Sequence, residues 1–419
     1  MSRKRKLALI AGGIAILLLV LALSLRVALQ PERVTRLILD QTGRALGLEI
    51  TASGIGEYRL RGTPMLVVRG VVAREPGAAV PLLRAERIHL SLPWSTLRAR
   101  GADLTVKRIE LDAPILDLPA LQHWLSTRTP GEDRIPTLTD GLRVTRGTLK
   151  NANWSIDGID VGLPKLAPDQ PVNAQVRGRY LDPPRRITFA VAVALSRPAR
   201  NAGLAIVGPV TVHSDDWSLP ARIKLSGHLR ISGDNWQMIP ARLAMNARYR
   251  STSTEIPFAL GLSGPLQFEN AIWSWTPVGV ALRGKERVPD LDAYGALALG
   301  LELVVELDGN IPAWPEAWPT LPPPLSASTS RLAFDLRYRG NADLSAVAAL
   351  RLQRDATRFE GRLRFFDVSK WINTRQPASP LPPLDGVLTT PTMEIAGAQL
   401  EDVEIIFDDP AVPAIEPTP

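Results

Sequence analysis

The chain has 419 residues and a net charge of +7, and Arg3, Lys4, Arg5 and Lys6 supply four of those charges. Basic side chains elsewhere alternate with acidic ones, and no basic stripe interleaved with aromatics disposes the chain toward nucleic acid. The absence of cysteine excludes disulfides, thiolate metal sites and Cys nucleophiles, and a 45% hydrophobic content excludes a chain disordered by composition.

Residues 1–6 form a basic segment. Leu7 to Leu25 then carry no charge and are mostly Leu, Ile, Ala and Val. As a helix at a 1.5 Å rise they span about 28 Å, the thickness of a bilayer core. The expectation is a transmembrane anchor over 7–29 with the basic cluster kept in the cytoplasm. Ala22-Leu23-Ser24 has the small-x-small form of a cleavage site, but the apolar run is longer than a usual signal-peptide core, which favours retention. Either alternative places the bulk of the chain outside the cytoplasm.

Pro31 starts an amphipathic pattern in which Val34, Leu37, Ile38, Gln41 and Ala45 recur at helical spacing, with Glu32, Arg33, Arg36, Asp40 and Arg44 largely opposite. Gly47 is its expected stop. From about Leu48 the period changes from 3.6 to 2. The expected strand segments include Ile223-Leu225-Gly227-Leu229-Ile231, a single run Leu297-Leu299-Leu301-Leu303-Val305-Leu307, Leu332-Phe334-Leu336-Tyr338 and Phe359-Gly361-Leu363-Phe365, each alternating with polar or small residues. Weaker segments are Ile88 to Leu92, Arg186 to Leu195, Leu243 to Tyr249 and Val403 to Phe407. Ser263-Gly264-Pro265, Asp308-Gly309-Asn310 and Arg339-Gly340-Asn341 are expected separators. Short helices are expected at Pro93 to Arg98, Pro119 to Leu125 and Ser369 to Thr374.

Ser126 to Thr137 is polar and linker-like. Ile311 to Ser326, with Trp314, Trp318 and Pro322 to Pro324, is expected as a surface loop of polyproline character or a hinge. The Pro-rich, acidic stretch 408–419 is expected to be disordered.

The fold class expected from these patterns is mainly β, with antiparallel sheet dry on one side and wet on the other. Helices are too few to supply a second layer. The dry face then packs on another sheet, closes on itself or meets an apolar ligand, and periodicity alone does not choose among these.

The succession of elements resembles the AsmA-like family. After the anchor, a helix ends Thr42-Gly43-Arg44-Ala45-Leu46-Gly47, followed by Leu48-Glu49-Ile50-Thr51 and Leu66-Val67-Val68-Arg69-Gly70-Val71-Val72. A strand from Leu83 to Leu92, the short Pro93-Trp94-Ser95-Thr96-Leu97 and a strand from Leu104 ending at Pro114 complete a module similar to that family's N-terminal one. Leu384 to Leu388, Met393 to Gly397 and Leu400 to Phe407 are similar to its C-terminal stretch, so that about a third of the chain is covered. The resemblance implies an elongated sheet curved into an open hydrophobic groove that holds phospholipid acyl chains, and a role in outer-membrane lipid homeostasis. It implies a single-pass protein of the bacterial inner membrane with a periplasmic bulk and envelope protein partners. At about 4.8 Å between strands, some 25 strands make about 120 Å, shorter than members that span the periplasm, so a partner, an oligomer or a local role is implied as well.

The organisation so expected is a cytoplasmic segment 1–6, an anchor 7–29, an N-terminal module 30–125, a central β-repeat region 126–310, a Trp/Pro-rich loop 311–327, a C-terminal β region 328–407 and the tail 408–419. Candidate groove-lining residues are Ile223, Leu225, Leu229, Ile231, Leu297, Leu299, Leu301, Leu303, Leu332, Phe334, Leu336, Phe359, Leu363 and Phe365. No catalytic, metal or cofactor residues are expected: His89, His123, His213 and His228 lie far apart, His213-Ser214-Asp215-Asp216 reads as a polar turn, and no nucleophile-elbow, Walker or dinucleotide pattern occurs. Trp273 and Trp275 are expected to share a strand face. The competing expectation is a periplasmic scaffold or accessory of a secretion or outer-membrane assembly machine, with a filled core and no lipid cargo. An outer-membrane barrel suits the alternation, but the anchor and the charged outward faces argue against it.

Overall fold

The computed structural model describes residues 39–412 except 41–42, 45, 55–56, 60–61, 99–104, 128–134, 184, 233–234, 253, 286, 319–320, 322–324, 327, 374–382, 396–397 and 410–411. The expected cytoplasmic segment and anchor, and most of the tail, lie outside the described residues. So does the first part of the amphipathic helix, although residues 39, 40, 43, 44 and 46 are helical. Among the described residues no helix is long and apolar enough to cross a membrane. Of these residues 67% are strand and 7% helical, so helices can cover little of the sheet. Twenty-four strands are present among them. The chain divides into two compact units, residues 1–190 and 191–419.

In the first unit, β1 (Glu49–Gly54) and β2 (Tyr58–Arg59) pair antiparallel with β3 (Met65–Arg74), which pairs with β4 (Leu83–Ser91). Helix α1 (Trp94–Arg98) and β5 (Thr105–Val106) follow. Next, β6 (Arg108–Asp112) and β7 (Ile115–Asp117) continue one another on the edge of β4. Helix α2 (Leu118–Ser126) and β8 (Thr137–Leu138) lead into β9 (Leu142–Lys150), and β10 (Ser155–Leu163) and β11 (Val172–Asp182) extend the sheet.

The long sheet is antiparallel, as expected, with a local exception in which β9 runs parallel to β6 and β7; β5 and β8 form a separate parallel pair. The connection through α2 returns the chain to the end it left, which is what a parallel pair requires. Asp117 caps α2 by accepting a hydrogen bond from the Ala120 N–H at 3.0 Å, and Pro119 occupies the first turn, where its missing N–H costs nothing. The Trp124 indole donates to the Leu46 carbonyl at 3.0 Å. Val67, Val68, Val71, Leu82, Ala85 and Leu138 are buried. Strand β12 (Arg185–Leu195) carries the chain across the division between the units.

The second unit is an antiparallel meander in which every strand pairs with its neighbour in sequence: β13 (Asn201–His213), β14 (Trp217–Ser232), β15 (Asn235–Ser251), β16 (Glu255–Glu269), β17 (Ile272–Gly284), β18 (Leu291–Leu299), β19 (Leu303–Ile311), β20 (Leu332–Gly340), β21 (Val347–Arg354), β22 (Thr357–Arg364), β23 (Leu384–Ile395) and β24 (Ala398–Phe407). Helix α3 (Phe365–Asn373) lies between β22 and β23. Register shifts fall side by side at 226–229, 238–241, 263–266 and 275–278. Pro240, Pro265 and Pro277 stand inside these bulges, where a residue without an N–H is tolerated in a ladder.

Several segment boundaries differ from expectation. The run Leu297 to Leu307 is not one strand but two, β18 and β19, turning at 300–302. The turn is invisible to periodicity because Leu299 pairs with Leu303 and Leu297 with Val305; odd positions face odd positions, so alternation passes through the tip unbroken. Leu301 is at that tip and fully exposed. Ser263-Gly264-Pro265 and Asp308-Gly309-Asn310 do not separate strands but lie inside β16 and β19, whereas Gly340 does end β20. Phe365 belongs to α3 rather than to the strand before it, and α3 begins four residues earlier than expected. Phe365 lies 6.2 Å, ring to ring, from Tyr338, on the side that Leu363 faces, which is why the alternation runs on into the helix.

Candidate functional site

The register of the second unit assembles its apolar side chains into rows that cross the strands. Successive pairings link Ile206, Leu225, Leu243, Leu262, Val280, Ala293, Gly309, Phe334, Leu352, Phe359, Leu388 and Ile405, one residue from each strand β13 to β24. Every member is apolar or glycine. At about 4.8 Å per strand, its eleven steps extend about 53 Å. A parallel row links Leu229, Met238, Leu266, Trp275, Leu297, Val305, Tyr338, Ala348, Leu363 and Leu384. A third, nearer the hairpin tips, links Ile231, Trp236, Phe268, Trp273, Leu299 and Leu303. Trp273 and Trp275 therefore share a face, as expected.

Burial along this face is graded. From β13 to β16 Leu204, Leu225, Leu243, Leu260 and Leu262 are only partly buried, although Met238 on β15 is buried. Toward β20 to β23, Leu332, Phe334, Leu352, Phe359 and Leu388 are buried. At the third row Trp236 and Trp273 are exposed, with Phe268 at 4.6 Å, ring to ring, from Trp273.

The described residues of the Trp/Pro-rich segment past Ile311 lie outside helix and strand, as expected of a loop, and part of the segment is anchored on this face. Leu325 is 2% exposed, and Leu325, Leu321 and Trp314 pack into the same apolar cluster as Leu332, Phe334 and Leu352. Trp314 and Trp318 meet edge-to-face at 4.8 Å, and the Trp318 indole donates to the Arg287 carbonyl at 2.8 Å. Polar anchors hold the other end: Arg354 Nη1 donates to the carbonyls of Leu325 at 2.7 Å and Ser328 at 3.0 Å. Eight of the sixteen positions 311–326 are neither Trp nor Pro, and it is the small set of Leu among them that reaches the sheet, which composition alone does not reveal.

The candidates named from sequence divide as follows. Leu225, Leu297, Leu332, Phe334, Leu336 and Phe359 join the main apolar cluster. Leu303, Leu336, Leu363 and Phe365 meet around Tyr338 and Ala348. Ile223, Leu229, Ile231 and Leu299 lie on the same face by register. Leu301 lies on no strand face, because its tip projects beyond the sheet. The sequence reasoning missed Ile206, Leu260, Leu262, Leu266, Trp275, Val280, Leu352 and Leu388. Leu260 and Leu262 alternate visibly; reading the adjacent Ser-Gly-Pro as a strand end hid their continuation to Leu266.

The opposite face is charged. On β19 and β20, Asp308 and Asp335 are directly paired, and Arg337 bridges Asp335 at 2.8 Å, Asp308 at 3.2 Å and Glu306 at 3.4 Å. The Arg337 hydrogen bond holds the Asp335 carboxyl below its ordinary range despite its partial burial. Burial, and then the hydrogen bond and charge of Asp335, push Asp308 up. Among the described residues no group of three or more His, Cys, Asp or Glu is placed to hold a metal ion. His213-Ser214-Asp215-Asp216 closes the β13–β14 turn, with the Ser214 N–H donating to the Trp217 carbonyl at 2.9 Å. The first unit has an open cavity of about 460 Å³ lined by Glu75, Val80, Leu82, Asp117, Pro119 and His123 among others.

No family model, no curated protein and no solved structure matches the chain.

Proposed function

We propose that this chain is an AsmA-like envelope protein that carries phospholipid acyl chains on the apolar face of its second unit and serves outer-membrane lipid homeostasis. The observation that supports this reading is the unbroken apolar row from Ile206 to Ile405, partly buried over its first strands. Acyl chains ask for no hydrogen bonds, and each methylene kept from water is worth about 0.8 kcal/mol. A row about 53 Å long exceeds the roughly 15 Å that one leaflet's chains span. It offers a lipid many nearly equivalent positions and no deep trap. The polar opposite face and strand ends leave a headgroup in water. In this proposal the basic residues 3–6 and the apolar run 7–25 anchor the chain in the inner membrane with the two units in the periplasm, and no catalysis is involved.

A second reading, a periplasmic scaffold or assembly accessory without lipid, is favoured by one observation: from β20 to β23 the face is already filled by protein, with Leu332 and Leu388 inaccessible and Leu325 laid over it.

Native mass spectrometry of the full chain separates the two. The lipid reading expects co-purified phospholipid on the wild type and on Leu301→Asp, whose site is a solvent-facing tip, and loss of it on Leu225→Asp with the circular dichroism of the fold retained. A folded wild type that carries no lipid, and takes up none from vesicles, overturns it in favour of the scaffold.

A further inference from the structure

The apolar face ends in a buried polar corner. Arg354 closes β21, two residues after Leu352, and pairs with Thr357 at the start of β22. Arg354, Thr357 and Thr390 are all buried, Arg354 to 6% exposure. The two threonine hydroxyls lie 3.1 Å apart, and Thr390 also donates to the Thr392 carbonyl. The Arg354 guanidinium is met by two carbonyl oxygens, those of Leu325 and Ser328, and its Nε has no hydrogen-bond partner. The neighbouring Asp355 carboxylate is exposed and accepts hydrogen bonds from the Ser328 and Ser330 side chains instead.

The adjacent Asp355 carboxylate acts on this buried guanidinium through its charge, but the hydrogen bonds the guanidinium makes go to carbonyl dipoles and its Nε is left without one, an unusual expense for a charge taken from water. Its planar fork of donors matches the oxygens of a carboxylate or a phosphate. One row inward, Leu352, Phe359 and Leu388 are wholly apolar. A cationic, hydroxyl-lined end joined to an apolar row has the polarity of an anionic amphiphile in negative. The segment that now fills it has the same pattern, with carbonyl oxygens on Arg354 and the Leu325 side chain in the apolar cluster.

We propose that the Arg354 corner is the headgroup site for an anionic amphiphile, a lipid ending in a carboxylate or a phosphate, and that Leu325 and Ser328 occupy it as an internal stand-in the ligand displaces. The site rests on the acyl-chain reading of the face given above. It adds a fixed polar end to a face otherwise without landmarks, and it makes loading competitive with the Trp/Pro-rich segment.

The test uses the full chain and four probes: palmitate, uncharged hexadecanol, phosphatidylglycerol vesicles and inorganic phosphate. The expected result is at least tenfold tighter binding of palmitate than of hexadecanol, uptake of phosphatidylglycerol, and no measurable binding of inorganic phosphate alone. Arg354→Gln equalises palmitate and hexadecanol, and Arg354→Lys restores part of the difference. Because the chain has no cysteine, Ser328→Cys with Asp355→Cys gives a single engineered pair; its oxidation pins the segment and weakens palmitate binding at least tenfold, and reduction restores it. The pinned and reduced forms decide the question if Arg354→Gln does not fold. Equal binding of palmitate by the oxidised and reduced forms, or a charge preference that survives in folded Arg354→Gln, overturns the site while leaving the acyl-chain reading intact. Inorganic phosphate bound as tightly as palmitate and lost in Arg354→Gln overturns the amphiphile in favour of a free anion. Failure of the wild type to bind either palmitate or hexadecanol overturns the acyl-chain reading, and the site falls with it.

Discussion

The Phe334 ring lies over Gly309, its cross-strand partner, so closely that a Cβ added at 309 would stand 2.8 Å from the ring's terminal carbon and 2.4 Å from the Asp292 carbonyl oxygen. Gly309 is the one member of the apolar row without a side chain, and the row stays continuous there because Phe334 fills the space from the next strand. Gly309→Ala cannot be relieved by a rotamer change alone, since the Asp292 oxygen is backbone and a third contact, at 2.6 Å, is to the Ala293 Cβ. Overpacking of this kind costs about 1–3 kcal/mol. The expected outcome is a fall in Tm of about 2–4 °C per kcal/mol for a unit of this size, read by differential scanning calorimetry. An unchanged Tm would mean that β18 and β19 are free to part at this point.

Leu388 and Leu301 are both leucines in apolar alternation, and the structure gives them opposite energetic weight. Leu388 is 1% exposed between Phe359 and Ile405, whereas Leu301 touches water on every side at the β18–β19 tip. Leu388→Ala leaves a cavity in the filled part of the face and is expected to cost about 2–5 kcal/mol. Leu301→Ala is expected to stay within about 0.5 kcal/mol of wild type. Parallel urea titrations check both. A large effect at Leu301 would restore the single long strand that periodicity suggests.

That contrast also marks how far the sequence reaches. Period-2 alternation identified the strand class and put Leu225, Phe334 and Phe359 on the apolar side, because alternation is what a sheet with one dry face imposes on its sequence. It did not find the turn at 300–302, since a hairpin that pairs Leu299 with Leu303 preserves parity. It mistook Gly309 and Gly264 for strand ends, since glycine serves a turn and a crowded sheet position equally well. Nor did it reveal that Leu325 reaches back onto the sheet or that Arg354 holds it there, because such contacts join positions 29 residues apart through a loop with no period of its own. The parallel pairing of β6 and β7 with β9 was hidden for a related reason: direction is set by the α2 connection, not by the strands.

The Asp308–Asp335 pair gives a prediction with opposite signs at adjacent positions. Asp335 has its pKa lowered, chiefly by the Arg337 hydrogen bond. Its ionised form is favoured by folding, so its contribution is present above the unfolded carboxyl value of about 3.9 and is lost as pH falls through the lower folded value. Asp308 has its pKa raised, first by burial and then by Asp335. Its contribution is present below the unfolded value and is lost as pH rises through the folded one, so at neutral pH its charge is a liability. Asp335→Asn is therefore expected to lower Tm at pH 7, with the difference from wild type closing as pH falls toward 3. Asp308→Asn is expected to leave Tm equal or higher at pH 7, and to lose that advantage in acid. Partial exposure and salt screening hold each effect to no more than about 1 kcal/mol, so scans at low ionic strength resolve them best. Both variants shifting Tm the same way at pH 7 would mean that Arg337 serves the two carboxylates equally, against the asymmetry of its distances, 2.8 Å to Asp335 and 3.2 Å to Asp308.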